Sequence, residues 1–214
     1  MIQQKWREAI AALPLVAILR GLNPSEALDV GERLVRAGFR ILEVPLNSPD
    51  PFVSIEKMVH ALGDRAIVGA GTVLSVDQVE QLAKVGGKIC ISPNSNPDVI
   101  RAAKRLSLIS FPAFFTPTEA FTAIEAGADA LKLFPAELAG VKGLKAMKAV
   151  LPRSMPVFPV GGVTPDNMRD FVDAGAAGFG IGSAIFKPGD TPDAVYKKAV
   201  AFVEGWTAIH PSAG

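Results

Sequence analysis

The feature that most restricts this chain is a repeat. Short apolar, β-rich runs recur at residues 14–20, 39–46, 66–72, 87–92, 108–113, 129–134, 155–162 and 176–183, eight in all. Each is followed by a stretch with helical spacing. "PSEALDVGERLVRAGF", "TPTEAFTAIEAGAD" and "TPDNMRDFVDAGAAG" share one cadence: a polar cap beside Pro, an amphipathic helix, then Ala-Gly before the next strand. Those are helix start and stop signals. Eight βα units in one chain imply a parallel sheet closed on itself, the (β/α)8 or TIM barrel, near the small end for that fold at 214 residues. An open doubly wound sheet is less favoured, because no dinucleotide fingerprint follows the first strand. "GAG" at 69–71 does not extend to one, since Leu74 stands where the last glycine would be. The amphipathic first twelve residues are read as an extra N-terminal helix covering the bottom of the barrel. No linker or low-complexity stretch interrupts the pattern, so residues 1–214 are expected to form a single barrel domain.

Charge and composition exclude some functions. Lys and Arg together number 22 against 21 Asp and Glu, with no block of either sign. A nucleic-acid or membrane-surface footprint is therefore not expected. No apolar run approaches a membrane span, and the N-terminus lacks the apolar core and cleavage site of a signal peptide. The single cysteine, Cys90, lies in the apolar run "KICIS" and is read as a buried small side chain rather than a nucleophile. A cytoplasmic protein is expected.

In barrels of this type the chemistry sits at the C-terminal ends of the strands. Strand one ends in Arg20, strand two carries Glu43, strand three ends in Thr72 and strand six carries Lys132. Side chains alternate along a strand. Ile41, Glu43 and Pro45 share one face of "RILEVPL", and Ala130, Lys132 and Phe134 share one face of "ALKLF". With the intervening leucines and Val44 under the helices, Glu43 and Lys132 both point into the barrel mouth. A buried Glu43–Lys132 ion pair that merely holds the barrel together is the competing reading, although such a pair adds little net stability. Functionally, an enclosed lysine beside other cations loses its proton more readily and becomes a nucleophile toward carbonyls. A glutamate beside it can shuttle protons, and Arg20 can hold a carboxylate bidentately. The two histidines, His60 and His210, stand apart, and no His/Asp/Glu cluster has metal-ligand spacing, so neither metal nor cofactor is expected.

Two glycine-rich segments, "PVGGVTPDN" and "GFGIGSAIF", follow strands seven and eight, where barrels often bind phosphate with backbone N–H groups. Gly161, Gly162 and Gly182 would let backbone approach an anion, and Ser183 could add a hydroxyl; glycines that simply permit tight turns are the plainer alternative. An amine nucleophile, a proton shuttle and grips for carboxylate and phosphate together describe a Schiff-base aldolase acting on a phosphorylated keto acid.

The motifs "LEVPLNSP", "VGAGTVL", "ISPNSN", "LKLFPAE", "PVGG" and "GIGS", spread over nearly the whole chain, resemble the 2-keto-3-deoxy-6-phospho-aldonate aldolases. The resemblance implies that Lys132 forms the Schiff base, that Glu43 transfers protons, and that Arg20 and Thr72 grip the pyruvate carboxylate. It further implies that Gly161, Gly162, Gly182 and Ser183 hold phosphate and that Pro93 and Phe134 line the site. Gluconate-type members resemble "LEVTLRT" and "PTGG", so Pro45 and Val160 stand here for two threonines and Asn47 for an arginine. That departure resembles the galactonate-type branch and makes Val160 a candidate substrate contact. The resemblance also implies a homotrimer; from the residues alone, Phe114, Phe115 and Phe186 could serve an interface or cap the barrel.

Overall fold

The computed structural model describes residues 2–210, and within them the eight expected strands all form and all pair in parallel. In chain order the elements are α1 (Ile2–Ala12), β1 (Leu15–Ile18), α2 (Ala27–Ala37), β2 (Ile41–Pro45), α3 (Pro51–Leu62), β3 (Ile67–Gly71), α4 (Val76–Lys84), β4 (Ile89–Ser92) and α5 (Pro97–Arg105). They continue with β5 (Ile109–Phe114), α6 (Pro117–Glu125), β6 (Leu131–Leu133), α7 (Ala136–Val150), β7 (Val157–Pro159), α8 (Met168–Asp173), β8 (Phe179–Ile181) and α9 (Pro192–Ile209). Each strand lies beside its sequence neighbours, and β8 pairs with β1 through Leu15–Phe179, Val16–Gly180 and Ala17–Ile181. A parallel bridge between Val160 and Gly180 joins β7 to β8 and completes the ring. The fold is a (β/α)8 barrel.

The helix signals act as the sequence suggests. Ser75, Asn96, Thr116 and Thr191 each cap a helix through a side-chain oxygen, and Thr116 with Glu119 forms a reciprocal capping box. The strands are shorter than the apolar runs. Arg20, Thr72, Phe134, residues 161–162 and residues 182–183 all lie past the last paired residue of their strand, and Val160 holds only the single bridge to Gly180. The chain turns away there: φ is positive at Thr72 (56°), Gly161 (106°) and Gly162 (68°), which ends an extended ladder.

Alternation along the strands sorts the core into two layers. Leu42, Val44, Val68, Ala70, Cys90, Leu131 and Leu133 face outward and pack under the helices. Ile41, Ile67, Ile89, Ile91, Ile109, Phe111, Ala130 and Phe158 face inward and fill the lower barrel. α1 closes that end. Its Trp6 is buried, with its ring centroid 6.2 Å from both Phe111 and Phe158, which stand 5.1 Å from each other. The first helix therefore plugs the bottom as expected, and apolar side chains fill the barrel below the level of Glu43 and Lys132.

Two of the three phenylalanines considered for an interface are core residues instead. Phe114 and Phe186 are each 2% exposed, because Phe114 turns outward under the helix layer and Phe186 packs into the same cluster. Phe115 remains 41% exposed. Among the described residues no helix is long and apolar enough to cross a membrane.

Trp6 is the plug's main anchor. Replacing Trp6 by Ala should lower unfolding free energy by about 3–5 kcal/mol, read from urea denaturation with an unchanged slope.

Candidate active site

The upper barrel is held open by glycines that make room for side chains. Gly69 faces inward on β3, where a Cβ would meet the backbone of Ile89 on β4. Two residues on, a Cβ at Gly71 would collide with the Glu43 carboxylate. "GAG" thus has a reason other than nucleotide binding: its last glycine clears space for the glutamate of the adjacent strand. Thr72, which follows, adopts a left-handed conformation rarely tolerated by a β-branched residue. Strain of that kind concentrates at functional sites.

Glu43 on β2 and Lys132 on β6 come from opposite walls of the ring, with three strands between them in each direction. They are 1% and 5% exposed. No ion pair within 4 Å joins them among the described residues, and Glu43 Oε2 has no hydrogen-bond partner. A structural salt bridge, the competing reading of these two residues, is not what the barrel contains. Two ionisable groups face a dry interior without neutralising each other by contact.

Their proton affinities respond accordingly. Burial pushes the Glu43 carboxyl up from its ordinary range to about 7, against the opposing pull of Lys132 and Arg20. Burial lowers the Lys132 ammonium; Glu43 opposes that shift and Arg20 reinforces it. Lys132 Nζ lies 4.8 Å from the centroid of the Phe134 ring, which forms part of its apolar surroundings. Cys90, by contrast, faces the helix layer and burial raises its thiol to about 12, as befits a packing residue.

A cavity of about 820 Å³ opens above Lys132. Of the residues expected at the site, Arg20, Lys132, Phe134, Val160, Gly161, Gly162, Gly182 and Ser183 line it. Glu43 on β2 is outside this lining, as are Thr72 and Pro93, which stand past the ends of β3 and β4. Arg20 is set by its neighbours: its Nη1 donates to Asn47 Oδ1 (2.5 Å), and the next backbone N–H, of Gly21, donates to Ser48 Oγ (2.9 Å). Asn47, known from the sequence only as a departure, is therefore a wall of the cavity and a partner of Arg20.

The glycines divide by cause. Gly161 and Gly162 have positive φ, and side chains there would strike Glu137 at the start of α7. Protein packing alone demands them. Gly182 differs: a Cβ there would meet nothing nearer than Ile18 Cβ at 4.0 Å. Its bare edge is not required by the protein and leaves backbone open to the cavity. Sequence reasoning missed Lys187, which also lines the cavity; the only available signal was a cation four residues after Ser183. Among the described residues no group of three His, Cys, Asp or Glu is placed to hold a metal.

A closed barrel with an enclosed amine, a carboxyl poised near neutrality and an open glycine-edged mouth defines a carbonyl-chemistry enzyme of the (β/α)8 class. Residues 6–198 match the family described as KDPG and KHG aldolase. The chain belongs to that aldolase family, whose members are carbon–carbon lyases. It is 47% identical over 194 residues to the 2-dehydro-3-deoxy-6-phosphogalactonate aldolase of Escherichia coli K12, covering 91% of this chain and 95% of that one. It is 46% identical over 197 residues to the probable 2-dehydro-3-deoxy-6-phosphogalactonate aldolase of Rhizobium meliloti, covering 92% and 93%. A solved structure described as native KDPGal superposes with a TM-score of 0.91 at 47% identity, covering 92% of this chain and 96% of the other.

The raised Glu43 carboxyl makes stability depend on pH. The folded state keeps a proton that the unfolded chain releases between about 4.5 and about 7, so ionisation destabilises the fold as pH rises through that window. Glu43→Gln removes the ionisation. The variant should gain stability over the native protein at pH 8 relative to pH 5, by up to about 3 kcal/mol, measured by denaturant unfolding at both pH values.

Proposed function

We propose that the protein is a class I, Schiff-base aldolase that cleaves 2-dehydro-3-deoxy-6-phospho-D-galactonate to pyruvate and D-glyceraldehyde 3-phosphate. One observation carries this reading: Lys132 is a buried amine of lowered proton affinity at the floor of an open cavity, facing a glutamate whose carboxyl titrates near neutrality. The substrate follows from the relatives' names and from Pro45 and Val160, which remove two hydroxyls from the β2 and β7 ends of the site.

The neutral Nζ of Lys132 adds to the C2 ketone, and the carbinolamine takes a proton from solvent on its hydroxyl and loses water to give an iminium. The iminium is an electron sink. Glu43, as carboxylate, takes the C4 hydroxyl proton directly or through a water. The C3–C4 bond breaks, its electron pair enters the iminium to form an enamine, and C4 leaves as the aldehyde of glyceraldehyde 3-phosphate. The Glu43 carboxylic acid returns its proton to C3, and water hydrolyses the pyruvate iminium to restore the amine. A carboxyl near neutrality suits a group that must both accept and donate in one turnover. Arg20 and Thr72 hold the C1 carboxylate; Pro93, Phe134 and Val160 shape the wall; Gly161, Gly162, Gly182 and Ser183 bind the phosphate.

We further propose a homotrimer acting in the cytoplasm. Exposed Phe115, Phe121 and Leu138 on the β5–α6 and α7 segments offer apolar surface for self-association, and the lone cysteine is buried and unpaired.

Borohydride reduction in the presence of pyruvate should add one pyruvyl mass, at Lys132. Modification elsewhere, or none, refutes the Schiff-base assignment, and undiminished turnover by Lys132→Arg would favour a phosphate-binding barrel isomerase or synthase without a covalent intermediate. Glu43→Gln should lower kcat by roughly 10²–10⁴-fold. In the native enzyme kcat/KM should rise with pH through about 7 as Glu43 ionises. Side-by-side assay of the two C4 epimers should favour the galactonate form; equal or better turnover of the gluconate epimer would reverse the substrate assignment.

A further inference from the structure

The cavity wall carries three cations, Arg20, Lys132 and Lys187, and no Asp or Glu. Two of them have other work within the proposed reaction. Lys132 is covalently engaged at the floor, and Arg20 is held by Asn47 on the β1–β2 side, where a carboxylate next to C2 would lie. Lys187 stands on the segment after β8, four residues beyond Ser183.

Its surroundings keep its ammonium available. The nearest acid by sequence, Asp190, is engaged twice: it accepts from Lys198 Nζ at 2.6 Å and from the Lys187 backbone N–H at 2.7 Å. Hydrogen bonding from Lys198 is the main reason the Asp190 carboxyl sits below its ordinary range, and the Lys187 charge is the smallest contributor to that shift. Among the described residues Lys187 Nζ makes no ion pair within 4 Å. The backbone beneath it is also placed. Lys187 N–H is tied to Asp190, and Pro188 packs against Gly21, where a Cβ would come within 2.6 Å of Pro188 Cγ. The segment after β8 is thereby braced against the segment after β1, which fixes the backbone of Lys187 at the cavity wall.

A phosphate monoester carries −1.5 to −2 at neutral pH. Backbone N–H groups at Gly161, Gly162 and Gly182 supply only partial charge, and Ser183 supplies none. We infer that Lys187 is the charged grip on the distal phosphate, a binding residue that makes the enzyme discriminate phosphorylated from unphosphorylated substrate. This rests on the aldolase reading for the substrate's identity, but not for the anion site itself.

The test compares the native enzyme with Lys187→Met and Lys187→Arg, in kinetics with the 6-phosphorylated keto acid and its unphosphorylated analogue, and in calorimetric binding of inorganic phosphate. Lys187→Met should raise KM for the phosphorylated substrate roughly 10- to 100-fold, and lower the preference over the analogue by the same factor. Pyruvate labelling of Lys132 should persist, Lys187→Arg should restore most of the preference, and phosphate affinity should fall in parallel. An unchanged preference and phosphate affinity in Lys187→Met overturns the inference, as does an equal loss on both substrates. If the native enzyme forms no pyruvate adduct, the aldolase reading fails, while phosphate binding still decides the role of Lys187.

Discussion

Two ionisable side chains share a dry barrel without touching, and much of the upper structure is arranged around that fact. Leucine at both positions would be cheaper in desolvation. The chain instead keeps Glu43 and Lys132 almost wholly buried on opposite walls. It clears space for the glutamate with Gly71 and leaves Glu43 Oε2 without a partner. A direct ion pair would fix both groups in their charged forms. Separation lets burial dominate, which raises the acid and lowers the base. The result is a neutral-capable amine and a carboxyl that can change protonation near pH 7, the two states an iminium mechanism requires.

This arrangement depends on the layer beneath it. α1 and Trp6 close the bottom, and the isoleucines and phenylalanines of the strands fill it with apolar side chains. A helix outside the βα repeat therefore completes the apolar layer on which the two groups stand. The mouth above is open and lined by cations, so one axis of the barrel runs from an apolar plug, through a buried acid–base pair, to an electropositive entrance.

The glycines illustrate how far a motif can be read from chemistry alone. Gly161 and Gly162 invite a phosphate interpretation, yet each is already required by its positive φ and by Glu137 in the first turn of α7. Gly182 has no such internal justification, and its open edge is the stronger sign of a ligand. Asn47 likewise changes meaning: from a missing arginine it becomes the residue that orients Arg20.

The sequence by itself determined the architecture. Eight βα units, the caps at Ser75, Asn96, Thr116 and Thr191, and the inward phase of Ile41–Glu43 and Ala130–Lys132 are local patterns, because strand alternation and helix capping depend only on near neighbours. It also singled out Arg20, Lys132, Phe134 and the two glycine segments that converge on one cavity. Only the tertiary structure decided where the ladders stop, that Phe114 and Phe186 belong to the core, and that Glu43 and Lys132 face each other unpaired. The same holds for the match of Gly71 to Glu43 and for the place of Lys187 at the mouth. These depend on closure of the ring, which sets β2 against β6 and β8 against β1, and no local pattern encodes a distance across a barrel.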